Sequence, residues 1–450
     1  MTAPKPTPRA DQVSLWRYLQ LFRADILSAQ PERLYRAWMA EFRSPAFRSY
    51  MCNDPGIVDL ILKERPDQFP KSERLIEGLR PLLGNSVFVA NGEDWRAQRR
   101  IIDPAFESGR LRDVFPAMQA AAVAAVQRLA QSQGKTVEVE AAMSHVAADI
   151  IFRTLFSVPI ENEAAQKLFA EFQIFQRSQP LLNLGALLKL PRWFPRFHRR
   201  KTKASARRIR SLITQMTVTR ITEISERRAP QDLATRLMTT PDPQSGKLFT
   251  VEQMVDQVAI FLLAGHETSA SALSWALYLL ATHPEIQDRC AVEAASLPDT
   301  PSLADMSCLD LIRDTFRETL RLYPPVPMMV RENRCPIELR GRAIEKGAQI
   351  VLSPWHLHRH ERLWQRPDEF EPDRWSTLDG KISARSAYIP FSSGPRVCVG
   401  AAFAMIEGPL VLAHILRDYK VIASASAVPV PVARLTVRSA DGIHLTFLPR

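Results

Sequence analysis

The chain has 450 residues, 46% of them hydrophobic, with a formal net charge of +11. That is enough for a sizeable core in one to three domains. Five scattered cysteines without a Cys-x-x-Cys pair exclude a disulfide framework or a zinc knuckle, and fit a reducing compartment. No run of 18 apolar residues exists to span a membrane. Met1 to Asp11 carries three prolines and no apolar core, so it reads as neither signal peptide nor anchor. A soluble, cytoplasmic protein is expected. The basic balance suits solubility or docking of an acidic protein. Nucleic acid is not expected as a partner, because no recognition motif with interleaved aromatics accompanies the charge.

Residues 1–12 read as a flexible tail and 13–450 as a single domain. Residues 13–40 read as helix, with Trp16, Leu19, Leu27, Leu34 and Trp38 as apolar positions. Arg48 to Cys52 reads as a strand, closed by the turn-like Asn53-Asp54-Pro55-Gly56, and 57–65 as helix. Pro66 to Gly92 is punctuated by proline and glycine and reads as a long loop, of the kind that often carries function. Trp95 to Ile102 is a short helix that breaks at Pro104. Its Trp95 and Arg99 share one face and, taken alone, are an aromatic–cation surface pair.

Leu111 to Gln131, Ala141 to Phe156 and 161–176 read as helices. The stretch 181–201 is leucine-rich and then interleaves Trp193, Phe194 and Phe197 with Arg192, Arg196, Arg199 and Arg200. It is either a connecting loop with a solvated basic face or a transient contact with a membrane surface. Thr250 opens the longest helix with a capping-box partner, Gln253, and the helix runs to about Thr282. Its apolar middle is followed by Ala264-Gly265-His266-Glu267-Thr268. Such a stretch is either a solvent-facing edge with Thr268 bonded back along the helix, or a local opening that admits a small ligand. Leu309 to Tyr323 is a helix holding Glu318 and Arg321 at ion-pair spacing. Residues 337–353 and 427–448 alternate like strands and form a small β lobe.

The last stretch, Phe391-Ser-Ser-Gly-Pro-Arg-Val-Cys398-Val-Gly400, holds a cysteine in a glycine- and proline-fixed turn before a helix running from Ala401 to Tyr419. A helix start favours the thiolate, which is either a nucleophile or a metal ligand. Five spaced residues recur together here, and a chance match has a probability on the order of one in ten thousand.

Phe391, Gly394, Arg396, Cys398 and Gly400 resemble the haem-ligand loop of the cytochrome P450 superfamily. Ala264 to Thr268, Trp95 with Arg99, Glu318 with Arg321, and Arg374 in Phe370-Glu-Pro-Asp-Arg-Trp375 are similar to further segments of that family, in the same order. The resemblance implies a mainly α fold with a small β lobe. It places haem b between the long central helix and the helix after the cysteine loop. It makes Cys398 the iron's axial thiolate, Glu267 and Thr268 the catalytic proton-handling pair, and Ala264 and Gly265 the wall where O2 sits. Trp95, Arg99 and Arg331 would hold propionates, while Phe391, Arg396 and Gly400 would line the cofactor. Glu318, Arg321 and Arg374 would be structural. Phe88, Phe261, Ala264, Val326, Met328 and Met329 are the candidate substrate pocket.

The implied reaction inserts one oxygen atom of O2 into a C–H or C=C bond of a lipophilic substrate, whether fatty-acyl, terpenoid or aromatic. Electrons would come from an acidic ferredoxin, or a flavodoxin, with its reductase. That partner would dock on a basic face near Cys398, with Arg96, Arg100, Arg110 and Arg112 as contacts. A peroxide-driven hydroxylase and a non-enzymatic haem sensor or carrier are the alternatives. The pair Glu267-Thr268 speaks against both.

Overall fold

Long helical periods broken by short β-prone runs give a mainly helical chain with small sheets. The computed structural model describes residues 2–43, 48–178, 200–424 and 428–450. The chain forms two compact units. One is Met1–Pro70, Ala122–Ser144 and Thr268–Arg450, and the other is Lys71–Ala121 and His145–Glu267.

The second unit contains the helices Gly92–Ile102, Glu163–Ser178 and the first half of the helix Val251–Thr282. Thr250 starts that long helix as its spacing predicts. Gln253 N–H donates to the Thr250 hydroxyl at 3.2 Å, and Thr250 N–H donates to Gln253 Oε1 at 3.0 Å. Two otherwise unpaired donors are thereby satisfied. One turn further on, Asp256 accepts the Asn85 N–H at 2.8 Å and Arg210 Nη1 at 2.6 Å, and Gln257 accepts the Val87 N–H at 2.9 Å. These bonds tie the segment around Phe88 to the long helix.

The first unit carries the sheets. In the largest, Met39–Arg43, Arg48–Cys52, Gln349–Leu352 and Met329–Glu332 lie side by side; the middle pair is parallel and the outer pairs are antiparallel. One face rests on a core that includes Tyr50, Cys52, Ile350, Leu352, Trp364 and Trp375. The sheet sets Arg331 opposite Ile350. A second sheet orders Thr136–Glu138, His444–Pro449 and Tyr419–Ala423.

Four local expectations differ from the structure. The helix expected over 13–40 stops at Ala24, because the Asp25 carboxylate takes the N–H groups of Leu27, Ser28 and Ala433 instead. Met39–Arg43 is then a strand. The expected turn at 53–56 is a helix start, with Asp54 capping and Pro55 in the first turn. The expected loop 66–92 contains the helix Glu73–Leu83, whose Pro81 falls in its last turn. The first residues, read as a tail, are docked. Ala3 is 3% exposed and its N–H donates to the Asp368 carbonyl at 2.8 Å. Lys5 pairs with the Asp368 carboxylate at 2.8 Å, and the Tyr323 hydroxyl donates to the Pro4 carbonyl at 2.9 Å. Residues 181–199, where a membrane contact was weighed, lie outside the described residues.

Candidate active site

The cysteine loop is shaped by its own backbone. The Cys398 N–H donates to the Phe391 carbonyl at 2.9 Å, closing the loop, and the Val397 N–H donates to that of Gly394 at 3.0 Å. Gly394 has φ +68°, and a Cβ there would lie 2.0 Å from the Leu62 carbonyl oxygen, so only glycine fits. Gly400 caps the helix Ala401–Asp418, and the nearest atom to a Cβ there is the Cys398 sulfur at 4.0 Å. Nothing in the protein itself demands glycine at that position, whereas a flat group lying against the sulfur would. Cys398 is exposed, unlike the buried Cys52 and Cys290. No cluster of three or more His, Cys, Asp or Glu suited to a metal occurs among the described residues. Cys398 could hold the iron of a haem through its thiolate.

Two cations lie beside this loop in the first unit. Arg331 is 7% exposed, and its one hydrogen bond is to the adjacent Val330 carbonyl at 3.3 Å. It forms no ion pair with a carboxylate among the described residues. Burial pushes its pKa down to about 10, with a further push from the charge of Arg396. Two neighbouring guanidinium groups, one of them buried without a carboxylate, call for an anion. A haem propionate supplies one, so these residues fit the group.

Behind the loop, Glu318, Arg321 and Arg374 interlock. Arg321 binds Glu318 through Nε and Nη2 at 2.9 and 2.8 Å, and Arg374 Nε reaches it at 3.0 Å. Burial alone would raise the Glu318 pKa, but Arg321 and Arg374 hold it below the usual carboxylate range. The spare N–H groups of Arg321 take the His358, Pro367 and Glu369 carbonyls. This network pins the chain before the cysteine loop, as support rather than chemistry. His358 belongs to it as a packed residue, its Nε2 accepting the Ile389 N–H at 2.9 Å.

The long helix opens at one place. From Met254 to Leu280 every residue is buried except Ala264, Gly265 and Thr268. Their offsets of one and four put them on one side of the helix. The helix runs unbroken through them, so the expected local opening of the backbone is absent. Gly265 has a packing reason instead. A Cβ there would lie 2.5 Å from Ile151 Cδ1, so glycine lets the helix Val139–Phe156 approach. Glu267 is buried at 6% exposure. The adjoining Ser269 hydroxyl donates to Glu407 at 2.7 Å, and burial pushes the Glu407 pKa up to about 8. Sequence reasoning missed Glu407. The only local signal is an acid inside an otherwise apolar helix.

The other candidates fall into place unevenly. Trp95 is buried, with Arg99 over its ring at 5.9 Å, and Arg99 also pairs with Asp103 at 2.6 Å. Phe261 is nearly buried and meets Phe106 at 5.3 Å, whereas Phe88 is 42% exposed under Lys71. Val326 and Met328 are half-buried, but Met329 packs against the core of the first unit, which weakens its place in a pocket. Arg100 requires a correction as a docking contact. Asp242 takes its Nε and Nη2 at 2.6 and 3.1 Å and Glu93 its Nη1 at 3.0 Å, so its charge is already matched. Arg110 and Arg112 are exposed.

A cysteine beside two guanidinium groups thus fits a haem with its propionates. The family model for cytochrome P450 matches residues 46–446. Cyclooctat-9-en-7-ol 5-monooxygenase of Streptomyces melanosporofaciens is 33% identical over 434 residues, covering 93% of this chain and 89% of that protein. Cytochrome P450 4A11 of Homo sapiens is 29% identical over 410 residues, covering 87% and 78%. The crystal structure of the cytochrome P450DA haem domain superposes with a TM-score of 0.83 at 24% identity, covering 100% of this chain and 98% of that one. The chain belongs to the cytochrome P450 family and is a monooxygenase of that family. The family uses haem b and O2, and takes electrons from redox partners. No described helix is long and apolar enough to cross a membrane.

Proposed function

We propose that this enzyme inserts one oxygen atom of O2 into a C–H or C=C bond of a lipophilic substrate, using electrons from an acidic ferredoxin or flavodoxin. The carrying observation is that Ala264, Gly265 and Thr268 alone are accessible on the buried stretch Met254–Leu280 of the long helix. When bound, haem with a thiolate ligand supplies oxygen activation, because the thiolate's electron density favours O–O cleavage. Cys398 is that ligand. Arg331 and Arg396, with Trp95 and Arg99, hold the propionates. Thr268 presents a hydroxyl beside the reacting face, and Glu267, buried behind it, holds the proton that the hydroxyl passes on. Residues 13–450 are one haem-thiolate domain.

Phe261, Val326 and Met328 exclude water and favour an apolar molecule. The relative named for cyclooctat-9-en-7-ol acts on an unsaturated alcohol and supports the same class. The electron donor docks through exposed cations, Arg110 and Arg112 in place of Arg100. Three probes test the substrate class: dodecanoic acid, a terpenoid alcohol and an aromatic hydrocarbon. At least one should shift the haem spectrum, and silence from all three refutes a lipophilic substrate. Turnover with a ferredoxin and its reductase should exceed turnover with hydrogen peroxide; the reverse favours the peroxide-driven alternative. Reversing charge at Arg110 and Arg112 should slow reduction and flatten its salt dependence.

A further inference from the structure

Phe169, Phe172 and Gln176 stand at i, i+3 and i+7 of the helix Glu163–Ser178, hence on one face. That face receives His266, which precedes Glu267. The His266 ring meets Phe169 and Phe172 edge-on, with centroids 5.9 and 5.8 Å apart. Its Nδ1 lies 2.6 Å from the Leu262 carbonyl oxygen. A carbonyl can only accept, so Nδ1 carries the hydrogen, and in the neutral ring Nε2 offers a lone pair. The Gln176 amide nitrogen lies 2.9 Å from that Nε2 and 3.3 Å from Glu267 Oε2. One N–H goes to the imidazole and the other to the carboxylate. Turning the amide over would set its oxygen against both acceptors, so this orientation is the only favourable one. The chain Leu262–His266–Gln176–Glu267 therefore reaches the acid next to Thr268.

We propose that Gln176 is the positioning residue for Glu267, with His266 as its anchor. The amide fixes one carboxylate oxygen and the direction in which the other points, so that Glu267 faces its proton acceptor consistently. A neutral donor restrains the acid without contributing charge. This rests on the reading of Glu267 as the proton-handling acid. Gln176 does not touch the reacting atoms and acts only through Glu267.

Two variants test it. Gln176→Leu removes both donors, and Gln176→Glu keeps the size but replaces donors with acceptors. The first readout is the infrared carboxylate band of Glu267, isolated as the difference between each protein and its Glu267→Gln counterpart. The band should shift in both variants. The second is dioxygen consumption by the haem-loaded enzyme with a ferredoxin and its reductase, without added substrate, as a function of pH. Loss of a hydrogen bond to the acid predicts a fall of about tenfold and a changed pH profile. Combined with Glu267→Gln, either variant should fall no further than Glu267→Gln alone. An unmoved band and profile in both Gln176 variants, with a changed profile in Glu267→Gln, overturns the positioning role alone. An unchanged profile in Glu267→Gln overturns the reading of Glu267 itself, and this proposal with it.

Discussion

Replacing Arg331 by methionine should have opposite effects on the apoprotein and on the haem-loaded protein. Burial, and then Arg396, lower the Arg331 pKa from 12.5 to about 10. The difference corresponds to about 3 kcal/mol of unfavourable energy for keeping the group charged in the folded chain. For a base with a depressed pKa, the penalty is fully present below the folded value and is relieved as pH rises from about 10 towards 12.5. At neutral pH the apoprotein therefore carries all of it, and Arg331→Met should stabilise the apoprotein by up to about 3 kcal/mol. The haem-loaded protein instead loses a charge-assisted bond to a propionate, worth about 1.5–3 kcal/mol, so haem should leave at least tenfold faster. Urea unfolding of the apoprotein at neutral pH and haem transfer to apomyoglobin measure the two effects. A destabilised apoprotein, or an unchanged rate of haem loss, would refute the assignment of Arg331 to a propionate.

Three further outcomes follow from the geometry. Gly394→Ala must move the cysteine loop away from the Leu62 carbonyl, so the purified protein should hold little haem per chain; normal haem content would mean the loop adapts. Glu407, with its pKa raised from 4.5 to about 8, makes stability fall as pH rises between those values, because the unfolded chain releases its proton first. Glu407→Gln should remove that dependence, worth at most about 5 kcal/mol; parallel melting-temperature courses from pH 5 to 8.5 in the two proteins would refute it. Deleting residues 2–9 removes the Ala3, Pro4 and Lys5 contacts and should lower stability by about 2–3 kcal/mol, and an unchanged melting temperature would show that the docking adds nothing.

Chemistry carried within a turn or two of chain was legible from residues alone. The thiolate loop needs its glycines and Cys398 within ten residues, and Thr250 and Gln253 cap the long helix by spacing alone. The same holds for Glu318 with Arg321, one helical turn apart. Where local signals competed, propensity misled. Asp25 looks like one more helical residue until its carboxylate is seen to bind the Ala433 backbone, 408 residues away. Pro81 looks like a breaker until it falls in a last helical turn.

By itself, then, the sequence determined the family and the class of fold, and singled out Cys398, Glu267 and Thr268 as candidates, because each signal is encoded by residue types at short fixed spacings. The tertiary structure decided the rest. Burial of all but three residues between Met254 and Leu280 picks the face of the long helix that stays accessible. Ile151 explains Gly265 by packing, and the neighbouring charge of Arg396 adds to the burial that lowers the Arg331 pKa. Gln176 meets Glu267 across 91 residues, and Asp242 withdraws Arg100 from the surface charge across 142. Such pairings depend on which groups lose water together when the chain closes, and no spacing along the chain records that.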